Sequence, residues 1–288
     1  MSITKDIQYK FKTLSIAEKL IAINVAIFIL NALFVFLMQQ RQDVIVQWFQ
    51  LPKSFSDFIL QPWSIVSYAF FHAGFMHIFW NMILLYFTGR IFLNLFKPRM
   101  FLNVYFLGAI TGGLLFLLSY NLFPAFSGIN TALIGASAAV MAVLIFICTY
   151  MPYQEVRVIF FNIKLWHLGA FFVLLDLIQI PMGNAGGHIA HLGGALLGFV
   201  YAKKLGEGKD IGSGFEKGVD SMVNFFKRSK KSPLKTVHKN KSAAQNKSTI
   251  SKNEYQRKID EILDKISKSG YDSLTKEEKD FLFRAGKE

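Results

Sequence analysis

Residues 185–202 read AGGHIAHLGGALLGFVYA, a run with no charged residue that still carries two imidazoles, His188 and His191. Coiled as a helix, an apolar run of this length reaches most of the way across the ~30 Å hydrocarbon core of a bilayer. Imidazoles inside such a segment are rare and usually functional. The stretch therefore predicts a spanning helix with a chemical group near its first turns.

Five further apolar blocks lie outward from it, at residues 20–38, 74–89, 100–120, 131–151 and 165–180. Their apolar residues are gathered rather than striped at helical spacing, so the expected fold class is all-α, a polytopic membrane protein with six spans. The 288 residues are 52% hydrophobic with a formal charge of +13. Lys and Arg fall between the blocks and in the last third, not on an aromatic-bearing soluble domain, which argues against nucleic-acid binding. The single cysteine, Cys148, sits inside a block, so no intrachain disulfide forms and the thiol is read as a packing group. Lys5, Lys10, Lys12 and Lys19 precede the first block, but the run continues unbroken to Met38 and Gln39-Gln40-Arg41 offers no small-residue cleavage site. A retained first span is expected, not a signal peptide.

The loop charges alternate. Arg90, Lys97 and Arg99 follow block two and Arg157 and Lys164 separate blocks four and five, whereas residues 121–130 and 182–185 carry no charge. Lys and Arg collect on the cytoplasmic side of short loops, so both termini are expected there with the uncharged loops facing outward; the membrane expected is a bacterial plasma membrane. The first outer loop, about 39–72, holds Trp48, Phe55, Phe58 and Trp63, read as interfacial packing.

The expected organisation is a cytoplasmic N-terminus at 1–19, a membrane domain at 20–202, a Lys- and Ser-rich flexible linker at 203–252 and a cytoplasmic helical hairpin at 253–288. The hairpin rests on Ile259, Ile262, Leu263 and Ile266 at helical spacing, then Gly270, then Thr275 and Glu278 at capping-box spacing before Phe281 and Leu282. A role for the basic tail on anionic lipid and a role as topology and solubility signal remain equal readings.

Chemistry concentrates near the outer ends of three blocks. Block four opens with Gly135-Ala136-Ser137-Ala138-Ala139, small residues that suit close helix packing but include a hydroxyl. Counted as helix, Ser137 and His191 each lie ~9 Å from their block's start, so a nucleophile and a base share a depth. His77 and Asn81 are one turn apart on one face of block two, and both can donate to an oxyanion. His72, His188 and Asn184 are candidate cavity-lining groups. There is no His-Glu-x-x-His zinc motif, so no metal and no cofactor are expected. Asp176, the one acid within any block, is read as a structural or water-cavity residue ahead of a third catalytic member.

Together, His77-x-x-x-Asn81, Gly135-Ala136-Ser137 and Ala190-His191-x-x-Gly194-x-x-x-Gly198 resemble the rhomboid family of intramembrane proteases over residues 20–202. The resemblance implies a six-helix bundle and a serine endopeptidase with a Ser137–His191 dyad and no third acid. It also implies oxyanion contacts from His77, Asn81 and the Ser137 amide. Gly194 and Gly198 would pack against span four at Ala138 and Ala142, with Gly135 among the packing glycines. Expected partners are the lipid bilayer and single-span membrane proteins cut in or near their transmembrane segments. Three positions depart from the family pattern: Ser64 follows Trp63 where Arg is common, Ala138 replaces a common Gly, and Met141 replaces an aromatic. A non-catalytic rhomboid-like protein that binds client helices, and a small-solute transporter, are the rival readings.

Overall fold

The computed structural model describes residues 9, 11–41, 43–158, 160–226 and 244–285. Its first six long helices follow the apolar blocks: α1 (Ile16–Leu37), α2 (Phe75–Leu95), α3 (Pro98–Leu122), α4 (Ser137–Tyr150), α5 (Leu165–Gln179) and α6 (Ala185–Gly206). Helix α1 starts ahead of its block because Ser15 and Glu18 cap it. The Glu18 N–H donates to Ser15 Oγ at 3.2 Å and the Ser15 N–H to Glu18 Oε2 at 2.7 Å. Helix α3 opens on Pro98, at a position where a missing N–H leaves no hydrogen bond unmade.

Among the described residues, four helices are long and apolar enough to cross a membrane: α1, α2, α3, and α5 with its 3-10 extension to Met182. Two of the six expected spans do not meet that description. Helix α4 has 14 residues, about 21 Å at the helical rise, and the hydropathy of α6 is diluted by its glycines and imidazoles. Helix α4 is the most enclosed of the six. Every residue of α4 from Ala138 to Cys148 is buried, whereas α1 turns Leu30, Phe36 and Leu37 outward at 65%, 78% and 69% exposure. Apolar side chains outside a packed interior are the arrangement that lipid, not water, stabilises.

Small residues set how closely α3, α4 and α6 approach. A Cβ on Gly194 would overlap the Ala138 carbonyl and one on Gly198 the Ala142 carbonyl. On α3, a Cβ at Gly112 would stand 2.5 Å from Ala138 Cβ and 2.7 Å from the Ala190 carbonyl oxygen. Backbone therefore meets backbone along α4, the packing that small residues permit in a bilayer.

The all-α expectation needs two amendments, since two short antiparallel strand pairs occur. β1 (Leu51–Pro52) pairs with β2 (Ala132–Leu133), and β3 (Glu155–Val158) pairs with β4 (Phe161–Lys164) between α4 and α5. The first pair corrects the reading of block four: residues before Ser137 are apolar but not helical, so the depth counted along them as helix does not apply. That segment is fixed by the outer loop. The Gly135 N–H donates to the Tyr68 carbonyl at 3.0 Å, and the buried Tyr68 hydroxyl donates to the Ala109 carbonyl of α3 at 2.7 Å. Trp63 Nε1 donates to the Trp48 carbonyl at 2.7 Å, so the loop is held from within although Ser64 stands where the family pattern has Arg.

The expected linker at 203–252 is partly helical. Helix α7 (Ser213–Phe226) follows α6, with Phe215, Val219 and Met222 at helical spacing. Arg99 of α3 pairs with Glu216 and, at 3.5 Å, with Asp220. The Tyr201 hydroxyl donates to the Asp210 carboxylate, which also accepts from the Gly212 N–H at 2.9 Å. Residues 227–243 of that segment lie outside the described residues.

The chain divides into two compact units, residues 1–227 and 228–288. The second holds α8 (Ala244–Ser269), which begins before the expected 253, and α9 (Lys276–Ala285). Gly270 turns between them at φ 77°. The Thr275 N–H donates to Glu278 Oε2 at 2.8 Å and the Glu278 N–H to Thr275 Oγ1 at 3.3 Å, while Lys265 Nζ lies 2.9 Å from the same carboxylate. The Thr275 amide and the Lys265 ammonium hold the Glu278 carboxyl below its ordinary range.

Candidate active site

Helices α2, α4, α5 and α6 surround a cavity of about 220 Å³ whose lining includes Asn81, Ser137, Asp176, His188 and His191. Ser137 is the first residue of α4, where backbone N–H groups have no partner within the helix and are free to bind negative charge. His191 and Ser137 line this cavity together, with no direct hydrogen bond between them.

His77 sits beside the serine. The ring's Nδ1 accepts from the Ala73 N–H at 3.4 Å, so in the neutral imidazole the proton is on Nε2. That Nε2 faces Gly135: a Cβ there would lie 2.6 Å from it and 3.6 Å from Ser137 Oγ. Gly135 also has φ 123°, a backbone that side chains rarely adopt. The glycine expected to serve helix packing therefore makes room for His77 next to Ser137. Asn81 Nδ2 donates to the His77 carbonyl at 2.8 Å, which uses one of its two amide hydrogens and leaves the other for the cavity.

His72 belongs elsewhere. It is buried, accepts from the Ala136 N–H through Nε2 at 3.4 Å, and stands edge-on to His77 at 5.0 Å between ring centres. It lines a neighbouring cavity with Asn31 of α1, Asp43 and Gln50, not the cavity of Ser137. His188 lines the Ser137 cavity, and Asn184 caps α6 in a left-handed conformation at φ 49°.

Asp176 is placed inside the site and not merely near it. Its Oδ1 lies 2.8 Å from His188 Nδ1 and 2.8 Å from His191 Nδ1. Two imidazoles and a carboxylate are a donor set of the kind that binds metal, and among the described residues their ligand atoms gather within 4.8 Å. Hydrogen bonds already account for that proximity. The signal in the sequence was the lone acid of the apolar blocks, but its partners lie on another helix and could not be read from spacing along its own. Met141 lines the same cavity, as does Gln179, which sequence reasoning missed.

Comparison with known proteins agrees with this architecture. The Rhomboid domain family matches residues 60–208, and a family of unknown function (DUF6576) matches residues 246–287. The Arabidopsis thaliana protein named "RHOMBOID-like protein 12, mitochondrial" is 29% identical over 158 residues, covering 51% of this chain and 47% of that protein. The Danio rerio protein named "Presenilin-associated rhomboid-like protein A, mitochondrial" is 27% identical over 151 residues, 51% of this chain and 38% of that protein. The chain thus spans less than half the length of either relative, and their names give no support to the expected bacterial plasma membrane. The family match covers more than half of the 288 residues and falls on a helical bundle with membrane-length helices: the chain is an integral membrane protein of the rhomboid family.

Proposed function

We propose that the protein is an intramembrane serine endopeptidase that hydrolyses peptide bonds in or near the transmembrane segments of single-span proteins. The observation that carries this reading is the shared cavity of Ser137 and His191, with Asn81 on its wall and His77 beside it. Neutral His191 takes the Ser137 proton as Oγ bonds to the peptide carbonyl carbon. The carbonyl oxygen becomes an oxyanion that His77 Nε2–H, Asn81 Nδ2–H and the Ser137 amide can receive, each donor contributing ~3 kcal/mol in a site poor in water. His191 then gives the proton to the departing amine as the C–N bond breaks. A water, deprotonated by His191, frees the acyl group and restores Ser137.

An apolar groove between α2 and α5 fits a helical substrate: it is lined by Trp80, Leu84 and Phe172, which also line the Ser137 cavity. A spanning helix hides its carbonyls in its own hydrogen bonds, and exposing them in hydrocarbon costs several kcal/mol per group. Substrates with helix-weakening residues near the cut should react best. In this reading α1 to α6 all span, and the uncharged loops lie on the side opposite the basic ones.

The test is covalent labelling of the purified protein by a fluorophosphonate, alongside cleavage of a single-span substrate in liposomes. Ser137→Ala is expected to lose both and His191→Ala to lose cleavage. Wild-type protein that neither labels nor cuts would favour a rhomboid-like protein that binds client helices without hydrolysis.

A further inference from the structure

The geometry points to Asp176 as the positioning residue of the base: we propose that its carboxylate fixes the tautomer and orientation of His191 and stabilises the imidazolium formed during attack. The proposal rests on the serine-protease reading above and adds a third member to the dyad implied by the family resemblance. An ionised carboxylate only accepts hydrogen bonds, so the 2.8 Å contact from Oδ1 requires the His191 proton on Nδ1. Neutral His191 then carries its lone pair on Nε2, the nitrogen free to take the Ser137 proton.

Asp176 is itself held. His188, one turn before His191 on α6, donates from Nδ1 to the same oxygen at 2.8 Å, and the two rings stand edge to face with centres 5.7 Å apart. Asp176 is 5% exposed and is the one acid within the apolar blocks. A charge so placed is retained only with strong donors, and both of its donors are imidazoles of the site. Swinging the carboxylate away from His191 would break the His188 bond as well, so the clamp favours one position. The titratable groups facing His191 are Asp176 from α5, His188 from its own helix and His77 from α2, whose charge is within electrostatic range of His191.

A mere cross-link between α5 and α6 would show the same contacts, so the test must read the base. In Asp176→Asn, kcat is expected to fall by about 10²-fold or more with KM little changed, and fluorophosphonate labelling of Ser137 to slow in parallel. Removing the carboxylate leaves the Nδ1–H tautomer of His191 unselected, which nitrogen-15 spectra of histidine-labelled protein read directly and which loss of folded protein does not mimic. Asp176→Glu should recover part of kcat and of that tautomer. If Asp176→Asn does not fold, nitrogen-15 spectra of histidine-labelled Ser137→Ala protein at neutral pH keep the question open to measurement. His191 protonated at Nδ1 supports the proposal, and a proton on Nε2 overturns it. Wild-type kcat and an unchanged His191 tautomer in a folded Asp176→Asn protein also overturn it while leaving the protease reading intact. Failure of the wild type to label or cut counts against the protease reading instead.

Discussion

At the scale of residues, the site depends on space as much as on functional groups. Gly135 is the clearest case, because its φ of 123° and the His77 ring 2.6 Å from the missing Cβ exclude a side chain on separate grounds. In Gly135→Ala the backbone strain costs ~1–3 kcal/mol, and the added methyl group displaces His77 from Ser137. Turnover is expected to fall by about 10²-fold, as on loss of one oxyanion donor, while Ser137 stays in the cavity and still labels, more slowly. Steady-state kinetics on the folded variant checks this, and turnover at the wild-type level would mean that His77 does not act from that position. Ser137, His191, His77 and Asn81 stood out in the sequence as polar groups near the outer ends of apolar blocks, and their roles came only with the resemblance to the rhomboid family. The pairing of Asp176 with His191 could not, since it is set by the rotation of α5 about its own axis, and nothing in the residues around Asp176 states that angle.

At the scale of elements, hydropathy marks where chain is apolar but not what shape it takes. Residues 131–136 and the helix after them form one apolar run in the sequence, yet β2 pairs with β1 and the helix begins only at Ser137. This displacement puts Ser137 at a helix N-terminus instead of in a helix interior. The α4–α6 contact, by contrast, was anticipated through the family resemblance, and Gly194 and Gly198 do face Ala138 and Ala142. Gly194→Ala would drive a methyl group into the Ala138 carbonyl, and overpacking of this kind costs ~1–3 kcal/mol. Gly206 on the same helix has nothing within 4 Å of its Cβ position, so Gly206→Ala controls for helix propensity. Thermal unfolding in detergent is expected to place Gly194→Ala well below wild type and Gly206→Ala at or above it. Equal midpoints for the two variants would remove the close contact as a source of stability.

At the scale of the whole molecule, the site is useful only if it opens to one side of the membrane, and the chain allows that to be measured cleanly. The single cysteine, Cys148, is 5% exposed near the C-terminal end of α4, so a thiol reagent finds little native background. Ser127 lies exposed in the uncharged connection between α3 and α4. Tyr153, 76% exposed, lies in the connection between α4 and α5 that carries Arg157 and Lys164. If α4 crosses despite its 14 residues, these two connections are on opposite sides, with the basic one cytoplasmic by the charge rule. A membrane-impermeant maleimide added to sealed right-side-out membranes should therefore modify Ser127→Cys at once and Tyr153→Cys only after permeabilisation. The α4 crossing is the step in doubt by length alone, and it is the step that this pair of cysteines isolates. Modification of both from one side would mean that α4 enters and returns, leaving Ser137 on a re-entrant helix and the number of spans below six.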